Sequence, residues 1–245
     1  MKTAFVLISQ GSKYHKYIEP LLQSMKAHLR FPYDVFLWTD LSLRPSGVKT
    51  QLFCAYNGFP AATLHRYHMF LQAETDLRVY DQVFYCDVDM KFVAPVRGED
   101  IWSNGITATL HPGFVVDRSH IKEWTGKFLP STTGTPERDP ASTAYIPEEA
   151  TNRYFCGGFN GGKAEAFLSM AHAIRKNVDA DAKKGITAIW NDESHLQKYL
   201  YDNPPALVLS PSFCYPEGYK GQWGWDPSTY RPILMALDKD KDKKK

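Results

Sequence analysis

The chain has 245 residues, 43% apolar and 23% charged, enough to bury a sizeable core in one α/β domain or two small ones. Its 29 basic and 27 acidic residues leave a net charge of +2, too small to imply nucleic-acid binding from charge alone, and no apolar run approaches the roughly 20 residues of a membrane span. Cys54, Cys86, Cys156 and Cys214 have no CxxC spacing, so reduced thiols are expected rather than a zinc site or a disulfide framework.

In chain order, Thr3 to Ser9 reads as a strand buried on both faces, the kind found in parallel sheets. An amphipathic helix follows from about Tyr17 to Leu29, then a strand from Tyr33 to Thr39, completing a βαβ unit. A short strand near Val48 to Phe53, a helix over Ala61 to Gln72 and a strand over Gln82 to Cys86 come next, with another strand at Ile106 to Leu110. Residues 130–149, rich in Pro, Thr, Ser and charge, read as a long functional or mobile loop. Helices are expected from about Lys163 to Val178 and from Asp192 to Leu200, with a last strand at Ala206 to Leu209. The N-terminal apolar run, Ala4 to Ile8, is too short for a signal peptide. The expectation is therefore a soluble, cytoplasmic protein without a membrane anchor. It has one domain over residues 1–237 and a charged, disordered tail, DKDKDKKK, at 238–245.

Three segments carry chemistry. In VFYCDVDM, a strand ends in Asp87 and Asp89 around Val88, and alternation would place both carboxylates on one side. Such a pair suits Mg²⁺ or Mn²⁺, which complete their shell with waters and phosphate oxygens. A solvated turn is the alternative. A phosphatase-type Asp nucleophile is a weaker one, because that motif belongs on the first strand of its domain. In IWNDESHLQKYL, Asp192 and Glu193 stand at a helix start with Asn191 or Asp192 as cap. YFCGGFNGG has four glycines in nine residues without dinucleotide or P-loop spacing; close approach of a ligand and a tight turn into the next helix stay open. TLHPGF places His111 at a strand end.

In their order, YDVFLWTD, YCDVDMKF, TLHPGF, ERDPASTAYIPEE, RYFCGGFNGG and IWNDESHLQKYL resemble the motifs of glycosyltransferase family 6. These are the retaining α-1,3-galactosyl and N-acetylgalactosaminyl transferases that include the ABO blood-group enzymes. The matching stretches run from about residue 3 to 220. The resemblance implies an α/β GT-A fold, with a Rossmann-like nucleotide half and an acceptor half fused around a central mixed sheet. It implies Mn²⁺ (or Mg²⁺) on Asp87 and Asp89 against the diphosphate of a UDP-sugar. Donor contacts fall to Ile8, Ser9, Tyr14, Arg66, Val88, Cys156, Gly157, Gly158 and Asp192. Glu193 is the implied catalytic carboxylate, and His111 and Trp190 face a galactose-containing glycan acceptor.

The chain departs from the family in places. Asn191 stands where vertebrate members have histidine, and residues 115–136 do not match the short family segment. Both aspartates are kept where some bacterial members have Asn-x-Asn, which implies metal dependence. Gly157 and Gly158 leave room for an acetamido group, favouring UDP-GalNAc over UDP-Gal. Two rival readings use the same residues: a hydrolase with Asp192 or Glu193 as acid, and a sugar-binding module without turnover.

Overall fold

A computed structural model describes residues 1–122, 125, 127 and 129–239. The strands are β1 (Thr3–Ser9), β2 (Tyr33–Thr39), β3 (Thr50–Phe53), β4 (Gln82–Cys86), β5 (Met90–Phe92), β6 (Ile106–Leu110), β7 (Phe155–Lys163), β8 (Leu207–Leu209), β9 (Tyr215–Pro216) and β10 (Leu234–Ala236). The helices are α1 (Ser12–His15), α2 (Ile18–His28), α3 (Ala61–Leu64), α4 (Arg66–Gln72), α5 (Glu74–Leu77), α6 (Gly98–Ile101), α7 (Ala164–Lys183) and α8 (Asp192–Asp202), with 3-10 turns at Pro112–Phe114 and Pro211–Cys214.

Seven strands form one mixed sheet in the order β3-β2-β1-β4-β7-β6-β8. The first four run parallel, β7 is antiparallel to both β4 and β6, and β8 is parallel to β6. Alternation along β1 explains the two-sided core: Ala4 and Val6 pack with α4, α7 and α8, while Phe5 and Leu7 pack with α2 and β5. The α/β class and the central mixed sheet are as expected. Chain connections leave β1 toward β2 on one side and reach β4 on the other, so the carboxyl ends of β1 and β4 flank a switch point, where open α/β sheets bind ligands. Asp87 follows β4 directly. A smaller sheet, β5-β10-β9, closes over this edge and carries the C-terminal segment to it.

Three expectations change. The helix expected over Ala61 to Gln72 breaks at His65 (φ −89°, ψ 9°), so Arg66 begins a new helix. YFCGGFNGG is not a turn: residues 155–162 are all buried in β7, a strand that ends at Lys163, and the close approach left open for the segment is met at its first glycine pair. Its second glycine pair is structural, since a Cβ on Gly161 would lie 2.4 Å from the Val83 carbonyl and one on Gly162 2.0 Å from that of Gly105. Finally, Asp238 and Lys239, assigned by composition to the tail, are held in place. Asp238 N–H donates to Glu217 (2.9 Å) and Lys239 reaches Asp89. The rest of the tail, 240–245, lies outside the described residues. Among the described residues no helix is long and apolar enough to cross a membrane.

Candidate active site

The site is organised around Arg66. Being first in α4 and 8% exposed, its guanidinium reaches the β4–β7 edge. There Nη1 donates to the Gly157 carbonyl (2.9 Å) and pairs with Asp192 (3.2 Å), and Nη2 lies 3.5 Å from Asp87. Its face stacks on Tyr85 at 4.2 Å. Burial opposes this charge, but Asp192, Tyr85 and Asp87 more than offset it, so the guanidinium is held well above its ordinary pKa.

Strand β4 ends at Cys86, and the next three residues turn rather than continue the pleat. Asp87 and Asp89 nevertheless line one cavity of about 220 Å³ with Ile8, Tyr14, Arg66, Val88 and Lys239. Tyr85 O–H donates to Asp87, whose own N–H donates to the Gly158 carbonyl (2.8 Å). Asp89 is 6% exposed. Burial and the neighbouring Asp87 push its carboxyl up, and Lys239, 2.5 Å away, pulls the other way. Ser9 is wholly buried beneath this floor, its hydroxyl without a partner.

Behind Asp87, β7 brings its first glycine pair to the site. A Cβ on Gly158 would lie 2.9 Å from Asp87 Oδ2, and one on Gly157 3.1 Å from Glu193 Oε2. The absence of side chains here lets two carboxylates approach the same strand. Cys156, next along, is buried and hydrogen-bonded to the Cys214 thiol; all four cysteines are free. Glu193 accepts from Gly157 N–H (2.8 Å) and from Tyr154 O–H (2.9 Å). Burial raises its carboxyl to about 7 against the pull of these two donors. Asp192 is raised by burial too, with Arg66 opposing. Asn191 takes the N-cap position without a side-chain cap bond, at φ 51°, a conformation that costs a non-glycine residue. Ser194, in the first turn, reaches back past the cap and accepts from Trp190 N–H at 3.0 Å.

On the far side of Tyr154 lie His111 and Trp190. The Tyr154 ring packs edge-on against His111 at 5.7 Å. His111 Nδ1 accepts from Gly113 N–H at 3.0 Å, so the proton of the neutral ring sits on Nε2. Burial lowers its pKa to about 4. Trp190 is 48% exposed, with Nε1–H donating to Thr135 at 2.7 Å. The structure thus gathers the aspartate pair, Arg66, the first glycine pair, Asp192 and Glu193 into one cleft, with His111 and Trp190 at its rim.

Four contributors were not singled out from sequence. Tyr85 lies two residues before Asp87 on the same strand, a spacing that alternation flags. Tyr154, Thr135 and Lys239 carry no local signal.

As to a divalent ion, no group of three or more His, Cys, Asp or Glu among the described residues forms a metal cage. Asp87 and Asp89 fit the lesser requirement of an ion that keeps waters and substrate phosphate oxygens, and the lysine on Asp89 shows that this carboxylate attracts a cation.

The chain is similar in sequence to known glycosyltransferases. The profile of Glycosyltransferase family 6 matches residues 62–241. The chain is 31% identical over 222 residues to the rat histo-blood group ABO system transferase 1, covering 85% of this chain and 60% of the relative. It is 26% identical over 227 residues to the chicken globoside alpha-1,3-N-acetylgalactosaminyltransferase 1, covering 87% and 60%. With the Escherichia coli O-antigen biosynthesis glycosyltransferase WbnI it shares 28% over 163 residues, covering 66% and 64%. The chain therefore spans about 60% of the length of the rat and chicken relatives. The seven-stranded mixed sheet is consistent with the GT-A-like fold of this family. The chain belongs to glycosyltransferase family 6.

Proposed function

We propose that the protein is a retaining α-1,3-glycosyltransferase that moves GalNAc, or Gal, from a UDP-sugar to a galactose-containing glycan. The observation that supports this best is Arg66, whose one guanidinium touches Asp87, the Gly157 carbonyl and Asp192. A single cation thus links the groups assigned to diphosphate, donor sugar and catalytic face.

In this reading Ile8 and Tyr14 line the nucleotide end of the cavity. Asp87 and Asp89 would hold Mn²⁺ or Mg²⁺, whose charge when bound stabilises a leaving diphosphate. Arg66 and Lys239 add fixed positive charge at the same place, where negative charge develops as the glycosidic bond breaks. The glycines at 157 and 158 leave room for an acetamido group, favouring GalNAc, and Asp192 accepts from sugar hydroxyls. Glu193 faces the anomeric carbon in its ionised form. Whether it bonds that carbon or meets it as a charge, the acceptor joins on the face UDP leaves, so configuration is retained. Neutral His111 offers Nε2–H to an acceptor hydroxyl, and the exposed Trp190 indole offers a stacking face to a sugar ring.

UDP release from UDP-GalNAc and UDP-Gal, with and without Mn²⁺, tests the reading, with acceptors drawn from a glycan array. Turnover that requires Mn²⁺ and collapses in Asp89→Asn and Glu193→Gln is expected. Metal-independent sugar hydrolysis surviving Asp89→Asn would indicate a hydrolase, and tight UDP binding without turnover a binding module.

A further inference from the structure

Strand β7 does not run evenly beside β6. Asn160 stands opposite Ala108 and Phe155 opposite Leu110, so the four residues 156–159 face Thr109 alone. A bulge of this kind takes backbone groups out of the ladder and re-aims them, a device that recurs beside active sites. Gly157 is the residue re-aimed. Its N–H donates to Glu193 Oε2 (2.8 Å), and its carbonyl accepts from Arg66 Nη1 (2.9 Å). On the β4 side the bonding continues, with Asp87 N–H donating to the Gly158 carbonyl (2.8 Å).

A glycine has no side chain to restrict its backbone, so the orientation of Gly157 has to come from its neighbours. Two buried carboxamides supply it, one at each end of the bulge. At the start, Gln197, one turn after Glu193 on α8, accepts from Phe155 N–H (3.0 Å) and donates to the Phe155 carbonyl (2.5 Å). At the end, Asn160 reaches back three residues and its Nδ2–H donates to the Gly157 carbonyl at 3.1 Å. Arg66 alone would hold that carbonyl poorly, because the same guanidinium is shared with Asp192 and Asp87. With the carbonyl pinned from both sides, the Gly157 N–H on the adjoining peptide plane is kept on Glu193.

Asn160 is a costly residue for this position. It is 1% exposed, lies between Tyr85 and Ala108 in the sheet, and its Oδ1 has no partner among the described residues. A buried acceptor left unpaired lowers stability, and an apolar side chain there would avoid that loss. What the amide supplies instead is the bond to Gly157, which only its NH₂ edge can make, since a carbonyl accepts and does not donate.

We propose that Asn160 is a positioning residue for Glu193: it holds the Gly157 carbonyl toward Arg66 and thereby keeps the Gly157 N–H on the carboxylate. The inference rests on the glycosyltransferase reading of Glu193 and Arg66. Asn160 is too deeply buried to meet either substrate and acts through the backbone of the bulge.

The test is Asn160→Leu, which removes the amide and keeps the branched outline of the side chain. The first readout is a carboxyl-¹³C glutamate NMR titration of the free protein, with Glu193→Gln assigning the resonance. As the Gly157 N–H drifts from the ionised carboxylate, the Glu193 midpoint should rise by roughly half a pH unit or more, a fraction of one hydrogen bond to a charged group. The other ionisable groups around Glu193 are Asp192, Arg66, Tyr67, Tyr154 and Cys214. All are kept in the variant, so the shift reports the Gly157 donor. The second readout is transfer from UDP-GalNAc: kcat should fall roughly tenfold while the donor KM stays within about twofold, as for a displaced reacting group. A Glu193 midpoint that does not move overturns the proposal, even if the variant is slower or less stable, because the role is then structural only. A raised midpoint with unchanged kcat overturns it too. Should Asn160→Leu fail to fold, Asn160→Ala, which cannot overfill the site, decides by the same two readouts. An enzyme inactive on every UDP-sugar would refute the glycosyltransferase reading and leave Asn160 to be judged on the midpoint, which needs no turnover.

Discussion

Lys239 Nζ lies 2.5 Å from Asp89 Oδ2, and the same ammonium sits 5.2 Å from the centre of the Tyr14 ring. One residue of the C-terminal segment thus bridges the Tyr14 ring and the second carboxylate of the pair. In the proposed reaction this lysine competes with a divalent ion for Asp89 until substrate arrives, then turns to the diphosphate. Lys239→Met should therefore bind Mn²⁺ more tightly in the absence of nucleotide, by roughly threefold for a pair whose lysine is partly exposed to water. The donor KM should rise by a similar factor. Mn²⁺ EPR on the free protein and donor titration under turnover check the two halves; weaker Mn²⁺ binding in the variant would refute the competition.

Arg66 offers a sharper outcome because it is buried with its partners. Arg66→Ala leaves Asp192 in the interior without its cation, and removing one member of such a pair costs about 3–5 kcal/mol. The loss should be read from the urea midpoint at pH 8. It should shrink at pH 5, because burial raises the Asp192 carboxyl and a proton can then replace the missing charge. Arg66→Lys keeps the charge but cannot stack on Tyr85 and bond three groups at once. It should lose at least roughly tenfold in turnover with a smaller loss of stability. Equal stability losses in the two variants would show that geometry, and not charge, is what the site needs.

How much of this was legible beforehand depends on where each signal resides. Thr3–Ser9, Tyr33–Thr39, Gln82–Cys86 and Ile106–Leu110 are continuous apolar or β-branched runs whose pattern names the strand, and the structure has each at those bounds. Phe155–Lys163 has no such pattern. Its four glycines have poor β-propensity, and the strand exists because β4 and β6 bond it on both sides. Space left by Gly161 is filled by Phe84, whose ring would lie 2.5 Å from a Cβ there. The same physics governs the site. Asp87, Asp192 and Glu193 stand out as acidic residues at element ends. Thr135 and Tyr154 act through partners 55 and 39 residues away, which no local pattern encodes. Lys239 was assigned to a disordered tail because composition weighs a lysine's solubility and not the buried carboxylate awaiting it.

The first glycine pair should be selective about added volume. In Gly158→Ala the new methyl would start 2.9 Å from Asp87 Oδ2 and 3.3 Å from Met90, so the carboxylate must turn away. Mn²⁺ affinity should fall several-fold, and transfer from UDP-GalNAc should slow more than transfer from UDP-Gal. In Gly157→Ala the methyl would press on Glu193 at 3.1 Å. There the expected loss is in kcat for both donors, roughly tenfold or more, since a small displacement of a reacting group is costly. Competition assays with both donors measure the ratio. An unchanged GalNAc-to-Gal preference in Gly158→Ala would remove position 158 from donor selection.

Glu193 should also be a liability for stability, in a way that depends on pH. Burial raises its carboxyl from an ordinary 4.5 to about 7, so the folded state holds this proton more tightly than the unfolded chain does. Its favourable contribution is fully present below pH 4.5, falls away as pH rises, and is gone above about 7. Glu193→Gln, which never ionises, should match the wild type in thermal midpoint near pH 4.5 and exceed it at pH 8. The gap should be a few degrees for a chain of this size. Activity should move oppositely: the variant should be inactive at both pH values, and wild-type kcat/KM should climb with pH up to about 7 and then level, following the ionised carboxylate. Calorimetry across that range, paired with a pH–rate profile, separates the two effects. A stability difference that is the same at pH 4.5 and pH 8 would mean that Glu193 is not held in a site that resists its charge.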